Sequence, residues 1–192
     1  MIKLETERLL LRPFEMSDAE SMFLNWAGDP EVVRFLPYEA CENIEAAQIR
    51  IDQRMRYFSE LGDGCWCVFA ITLKSSGEVI GTIEFAETDH EARSAEVSYQ
   101  LGRAWWGMGY ATEALVAILS HCFETVELNR IWAVHDPRNP ASGKIMVKAG
   151  MLYEGTLRQC KVRKGELVDR VYHAILKEDW DKMPTKKQVQ SL

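Results

Sequence analysis

Apolar positions along this chain change period several times, and each change marks an element. Between residues 43 and 60, Ile44, Ala47, Ile51, Met55 and Phe58 recur at steps of three and four, which gathers them on one helical face. The arginine-rich opposite face is expected to be solvated. Residues 65–73 and 79–87 are rich in β-formers and flank the polar stretch Lys74-Ser75-Ser76-Gly77-Glu78, so an antiparallel hairpin is predicted. Residues 95–101 alternate strictly, with Ala95, Val97, Tyr99 and Leu101 on one face and Glu96, Ser98 and Gln100 on the other. Nearer the start, residues 7–14 read as a strand, and Ser17-Asp18-Ala19-Glu20 has the form in which side chains satisfy the free amides of a helix start.

Downstream of the alternating strand, Gly107-Met108-Gly109 leads into Leu115, Ile118, Leu119, Cys122, Phe123 and Val126, an almost unbroken helical stripe. Residues 130–135 then read as a strand. The order strand, helix, strand implies a right-handed crossover between parallel neighbours. Asn139-Pro140 opens a further helix with Asn as N-cap and Pro at the first helical position, and Gly150 closes it. Residues 152–162 and 167–176 flank Lys164-Gly165 and predict a terminal hairpin. One domain over residues 1–183 followed by a polar, frayed tail over 184–192 is the expected organisation, with no internal repeat.

Composition narrows the function classes. Hydrophobic residues make up 47% and charged residues 27%, which is the globular range. A net charge of −6 argues against a nucleic-acid binder, since phosphate recognition draws on an excess of Lys and Arg, and it suits a cationic amine or basic peptide. The five cysteines, Cys41, Cys65, Cys67, Cys122 and Cys160, lack the paired spacing of structural zinc and read as reduced thiols; no metal is expected. Neither a leader-like N-terminus nor a membrane-spanning apolar run is seen, so a cytoplasmic location with no membrane contact is the expectation.

Chemistry concentrates at the glycine turn. A strand ending in such a turn before a helix makes an anion site, because free amides and the helix dipole both point at it. Gly107 and Gly109 keep side chains away from a phosphate, and Tyr110, Ala111 and Thr112 supply first-turn amides. The Walker loop is excluded because no Gly-Lys-Ser/Thr follows; the dinucleotide fingerprint is excluded because Thr112 stands in place of its third glycine. A Gly-x-Gly turn also occurs for purely backbone reasons.

The run Trp106-Gly107-Met108-Gly109-Tyr110-Ala111-Thr112-Glu113-Ala114 resembles the acetyl-CoA loop of the GNAT superfamily of N-acetyltransferases. Asp136-Pro137-Arg138-Asn139-Pro140-Ala141-Ser142, Lys148-Ala149-Gly150-Met151 and Glu154-Gly155 are similar to the branch that includes ribosomal-protein N-terminal acetyltransferases. Thr6-Glu7-Arg8-Leu9-Leu10-Leu11-Arg12, Asp169 and Trp180 match the same branch, so the likeness spans nearly the whole chain. It departs from the family's Gln/Arg-x-x-Gly-x-Gly/Ala pattern at Trp106, as is common in this branch.

The resemblance implies an α/β (α+β) fold: a single GNAT-like domain whose mixed, mostly antiparallel central sheet, flanked by helices, contains a splayed parallel strand pair that admits acetyl-CoA. It places the pyrophosphate on the amides of Trp106, Gly107, Met108, Gly109, Tyr110, Ala111 and Thr112. The pantetheine arm would lie along Tyr99, Gln100 and Leu101, whose splayed edge offers backbone groups to its two amides, with Asn139 as a further cofactor contact. The implied reaction is acetyl transfer to an amine, which must lose its proton before it attacks the thioester. Glu96 is the first candidate base, against a solvent-facing or Arg-paired role, with Asp169 and Glu84 in reserve. Many family members place a tyrosine where Met146 stands; methionine cannot donate, so the donor to the departing thiolate passes to Ser142, or Ser142 is a helix cap. A backbone amide near residues 97–99 is expected to meet the tetrahedral oxygen.

Other conspicuous residues have alternative readings. Trp26, Phe35, Leu36, Pro37 and Tyr38 wall an acceptor pocket or are core. His121 and His173 read as scaffold, and Arg158, Lys161, Arg163 and Lys164 as a solvated hairpin or a contact for CoA phosphates or an acidic acceptor. The acceptor stays open between a protein N-terminus and a small-molecule amine such as a polyamine or antibiotic, and homodimerisation is open as well. Two rivals remain: a CoA-binding regulatory or scaffold module without turnover, and a phosphate-binding protein of unrelated fold.

Overall fold

The computed structural model describes residues 2–60, 66–183 and 190–191. Two short strands, β1 (Leu4–Glu5) and β2 (Leu9–Arg12), open the chain. A 3-10 turn over Met16–Asp18, the short helix α1 (Ala19–Met22) and a π-turn over Phe23–Ala27 follow. The expected Ser17 cap is replaced by Asp18, which is buried, accepts the Glu15 N–H at 2.8 Å and takes a two-pronged bond from Arg12 at 2.8 and 2.7 Å. A carboxylate already held by a guanidinium outcompetes an exposed hydroxyl for that position.

Helix α2 (Ile44–Glu60) begins on Asn43, whose Oδ1 accepts the Ala46 N–H at 2.8 Å. Ala47 and Ile51 are buried as the periodicity requires, while Met55 is exposed. The hairpin of β3 (Trp66–Leu73) and β4 (Val79–Asp89) forms as predicted and pairs onward with β5 (Ser94–Leu101). Helix α3 (Tyr110–Glu124) crosses to β6 (Arg130–His135), then α4 (Pro140–Lys148) leads to the hairpin of β7 (Leu152–Arg163) and β8 (Glu166–Leu176). A last helix, α5 (Lys177–Lys182), and strand β9 (Gln190–Ser191) were not foreseen; both are too short to carry a period. Residues 184–189 and Cys65 lie outside the described residues.

The nine strands of the described residues form one sheet in the order β7-β8-β6-β5-β4-β3-β2-β1-β9, antiparallel throughout except for β5 with β6. This is the mixed, mostly antiparallel sheet expected. Its two faces carry separate apolar clusters. One packs α3 with Ala95, Val97, Ile131, Met146 and Trp180. The other packs Trp26, Ala47 and Ile51 against Ala70 and Val79.

Beside the larger cluster His121 is buried, neither ring nitrogen has a hydrogen-bond partner among the described residues, and the ring meets the edge of Phe85 at 6.0 Å. Burial holds its pKa below the usual histidine value. A depressed folded-state pKa means that stability is fully present above the unfolded value of about 6.5 and is lost as pH falls through the folded one. Leu in place of His121 should flatten stability between pH 7 and pH 5; a urea series over that range checks this, the wild type weakening toward acid more steeply.

Candidate active site

Strands β5 and β6 pair only at Ser94–Arg130, Ala95–Ile131 and Glu96–Trp132, although β5 continues to Leu101 and β6 to His135. Each keeps its outer partner to the end, β4 for β5 and β8 for β6, so the two strands diverge into a wedge-shaped gap. Gly102 donates its N–H to Ile80 O at 2.9 Å. Antiparallel alternation then turns the peptide groups of Gln100 and Ser98 toward β4, and those of Leu101, Tyr99 and Val97 toward the gap. The Leu101 carbonyl also accepts the Trp106 indole N–H at 2.7 Å, which pins the tryptophan to the strand end while its ring stays half exposed.

Beyond Trp106, Gly107 and Gly109 adopt φ of +77° and +85°, the left-handed region where a side chain is strained. A Cβ on Gly107 would meet nothing within 4 Å, and one on Gly109 only Arg8 Nη2, so the space over the loop is open. The first intrahelical bond of α3 runs from Glu113 N to Gly109 O at 3.0 Å, and no side chain caps the helix. The amides of Tyr110, Ala111 and Thr112 are therefore left without helical acceptors.

Arg8 fixes this loop, a role that sequence reasoning did not assign. Its Nε donates to Glu113 Oε2 at 2.7 Å, its Nη1 to Met108 O at 3.0 Å, and its guanidinium lies 4.3 Å from the centre of the Tyr110 ring. Glu113 Oε1 also accepts from Thr6 Oγ1 at 2.6 Å and from Arg8 N at 2.9 Å. Burial alone would raise the Glu113 pKa, but these bonds outweigh it and hold the carboxylate below its usual range. The contact joins positions 105 apart in sequence. Its only sequence signal was that Thr6, Arg8 and Glu113 all fall within the family-like motifs.

A cavity of about 290 Å³ opens at the gap. Glu96, Tyr99 and Gln100 reach it from β5, Asn139, Ser142 and Met146 from α4, and residues 35–38 roof it from the loop before α2. Glu96 is half-buried; burial raises its pKa, Arg170 opposes this and Glu84 adds to it. Glu84 lines the same cavity but is engaged by Arg54 Nη1 at 3.1 Å and by Ser98 Oγ at 2.8 Å. On the α4 side, Tyr99 Oη donates to Ser142 O at 2.9 Å and lies 3.0 Å from Ser142 Oγ. Burial pushes the phenol far up, so it stays protonated. The helix cap is Asn139, whose Oδ1 accepts Ser142 N–H at 3.4 Å, which leaves the Ser142 hydroxyl to the tyrosine. Tyr99 was expected only as backbone; its side chain was not foreseen as Ser142's partner.

Several expectations separate here. Residues 35–38 do line the cavity, but Trp26 is fully buried in the second core cluster. Asp169 is not at the cavity: its Oδ1 accepts the N–H of Gln159, which has φ of +49° in a bulge of β7. The arginine face of α2 is only partly solvated, because Arg54 pairs with Glu84 and Arg50 stacks on Tyr38 at 4.3 Å. The β7–β8 hairpin is not merely solvated either. Lys164 Nζ reaches Glu39 at 3.0 Å and Arg163 lines the cavity. His135 and His173 meet as tilted rings with centroids 5.4 Å apart. No helix among the described residues is long and apolar enough to cross a membrane.

Comparison with known proteins agrees with this geometry. The family described as an acetyltransferase (GNAT) domain matches residues 8–152. The chain is 35% identical over 181 residues to the N-acetyltransferase p20 of Bacillus licheniformis, covering 94% of this chain and 99% of that one. It is 29% identical over 104 residues to the ribosomal protein uS5-alanine N-acetyltransferase of Escherichia coli, 54% of each chain. A GNAT-family acetyltransferase from Bacillus anthracis superposes with a TM-score of 0.81 at 28% identity, over 92% of this chain and 99% of that one. The chain therefore belongs to the GNAT acetyltransferases, as an acetyl-CoA-dependent acyltransferase. The rival of a phosphate-binding protein of unrelated fold falls away.

Removing the arginine brace should loosen the amides it positions. Arg8→Ala is expected to raise the acetyl-CoA KM roughly fivefold, about the worth of one hydrogen bond, with the acceptor KM unchanged in steady-state assays. On α4, Asn139→Ala should cost about 1 kcal/mol of stability as a lost cap. Ser142→Ala should leave the melting temperature unchanged and lower kcat on the order of 10- to 100-fold.

Proposed function

We propose that the protein transfers the acetyl group of acetyl-CoA to a primary amine, with a protein N-terminal amine as the acceptor class. The single observation that carries this reading is the cavity at the strand divergence, where a half-buried carboxylate and a paired phenol and hydroxyl face one space. Acetyl-CoA would lay its diphosphate on the first-turn amides of α3 and its pantetheine along Tyr99 and Leu101, which brings the thioester to the gap. The Tyr99 N–H, turned toward the gap, is then the amide placed to meet the tetrahedral oxygen.

Glu96 takes the proton that the ammonium must lose. Its pKa, raised chiefly by burial, makes it a stronger base than an exposed glutamate, acting directly or through one water. The thiolate leaves toward Tyr99 and Ser142. The Tyr99 proton is engaged by the Ser142 carbonyl, so the phenol positions the Ser142 hydroxyl. That hydroxyl is a far weaker acid than a thiol, whose pKa is about 8.5 in cysteine, so it stabilises the thiolate by hydrogen bonding and does not surrender a proton to it. The proton that completes CoA comes from the attacking nitrogen. Support for a protein acceptor comes from relatives such as the uS5-alanine enzyme.

Glu96→Gln is the direct test. It should lower kcat by about 10²-fold or more at neutral pH while the acetyl-CoA Kd stays within error. In the wild type, kcat/KM should rise with pH through an acidic limb above the ordinary glutamate value, and that limb should vanish in the variant. An unchanged rate and profile dismiss Glu96.

A further inference from the structure

The cavity contains more cationic donor than its own residues use. Arg163, at the end of β7, and Arg170, in β8, both line it and both are half-buried. The other arginine there, Arg54, is matched by Glu84 at 3.1 Å. Elsewhere the pattern is the same, since Arg12 holds Asp18 and Arg130 holds Glu154, and at the cavity's margin Arg138 holds Asp136. Arg163 and Arg170, by contrast, make no hydrogen bond or ion pair with any described residue, and Arg163 Nε is buried with no partner.

Leaving two guanidiniums this way is costly, since a buried charge needs a partner and these two also repel each other. Burial, and then Arg163, push the Arg170 pKa down; Glu96 and Asp136 act on it through space without closing an ion pair. A guanidinium is a rigid fork that fits a carboxylate through two parallel bonds. The carboxylates already present are committed or apart: Glu84 is held by Arg54 and Ser98, and Asp136 by Arg138. An oxyanion brought in by the ligand would satisfy both arginines. Glu96 lines the same cavity with the opposite charge, so an acceptor with an amine and a carboxylate near each other would match both groups.

We propose that the acceptor is a primary amine bearing a carboxylate close to it, and that Arg163 and Arg170 bind this carboxylate while the amine faces Glu96. The inference rests on the acetyl transfer proposed above and narrows its substrate class. The carboxylate is the side chain of an acidic residue at a peptide N-terminus; the α-carboxylate of a free amino acid is the other source of the same chemistry, and the test separates the two. A second cation, as in a polyamine, would fall against the arginine pair and be rejected.

Thiol release from acetyl-CoA over matched acceptors tests this. The pairs are free glutamate and aspartate against their α-amides, peptides beginning Ala-Glu or Ala-Asp against Ala-Gln or Ala-Asn, and spermidine. The acidic member of at least one pair should exceed its neutral twin about tenfold or more in kcat/KM, the worth of one charge-assisted contact. Success with amino acids alone assigns the α-carboxylate, and success with peptides alone assigns the acidic side chain. Arg170→Gln and Arg163→Gln should erase the preference with the acetyl-CoA Kd unchanged, and the wild-type panel stands by itself should either variant fail to fold. Equal or better use of neutral amines or spermidine overturns this inference and leaves acetyl transfer to amines intact. Saturable acetyl-CoA binding with no acceptor consumed overturns both.

Discussion

The parting of β5 from β6 after the Glu96–Trp132 pair is the constraint on which the rest of the site depends. Each strand is committed to an antiparallel neighbour along its whole length, so neither can follow the other once they diverge. The sheet is thereby opened near its middle without a free outer edge, and backbone groups that would otherwise pair across it are turned toward a ligand. Helix α4 keeps the gap from closing. Tyr99 reaches across to Ser142, and Gly143 allows the helix to sit so close to β6 that a Cβ there would meet His135 Nε2 at 2.6 Å.

The same divergence separates two kinds of chemistry. On the α3 and α4 face, uncapped amides and hydroxyls form a neutral, donor-rich surface suited to the diphosphate and thioester of the cosubstrate. On the α2 face the lining is charged, with Arg54 and Glu84 matched and Glu96, Arg163 and Arg170 available. Since β5 sends alternate side chains to opposite faces, Glu96 and Tyr99 belong to different sides of one strand. The gap is thereby open to both faces of the sheet, each with its own lining.

Rigidity comes from contacts distant in sequence. The Arg8–Glu113 pair ties the N-terminal strand to the first turn of α3, so the loop amides are held before any ligand arrives. Lys164 bonds both Glu39 and the Val33 carbonyl, which fastens the cavity roof to the tip of the β7–β8 hairpin. The Arg138 guanidinium, braced by Asp136, extends to the Phe35 ring at 5.8 Å. The cavity wall is thus assembled from three segments that share no local signal.

Local physics was enough for much of the fold. Period-two alternation set out β5, the apolar stripe set out α3, and Asn139-Pro140 and Gly150 bounded α4, because these features act within one or two turns of chain. The glycine turn and its free amides were legible for the same reason. Lost to sequence reading were elements too short to carry a period, namely β1, α5 and β9, and every choice between equivalent side chains. Nothing local distinguishes Asp169, spent on a bulge of β7, from Glu96 in the cavity, or Trp26 in the core from Tyr38 in the wall. Nor does composition tell Arg54, neutralised by Glu84, from Arg170, left without a carboxylate. Such distinctions depend on which charges meet across the fold, and only packing of the nine strands and their helices decided them.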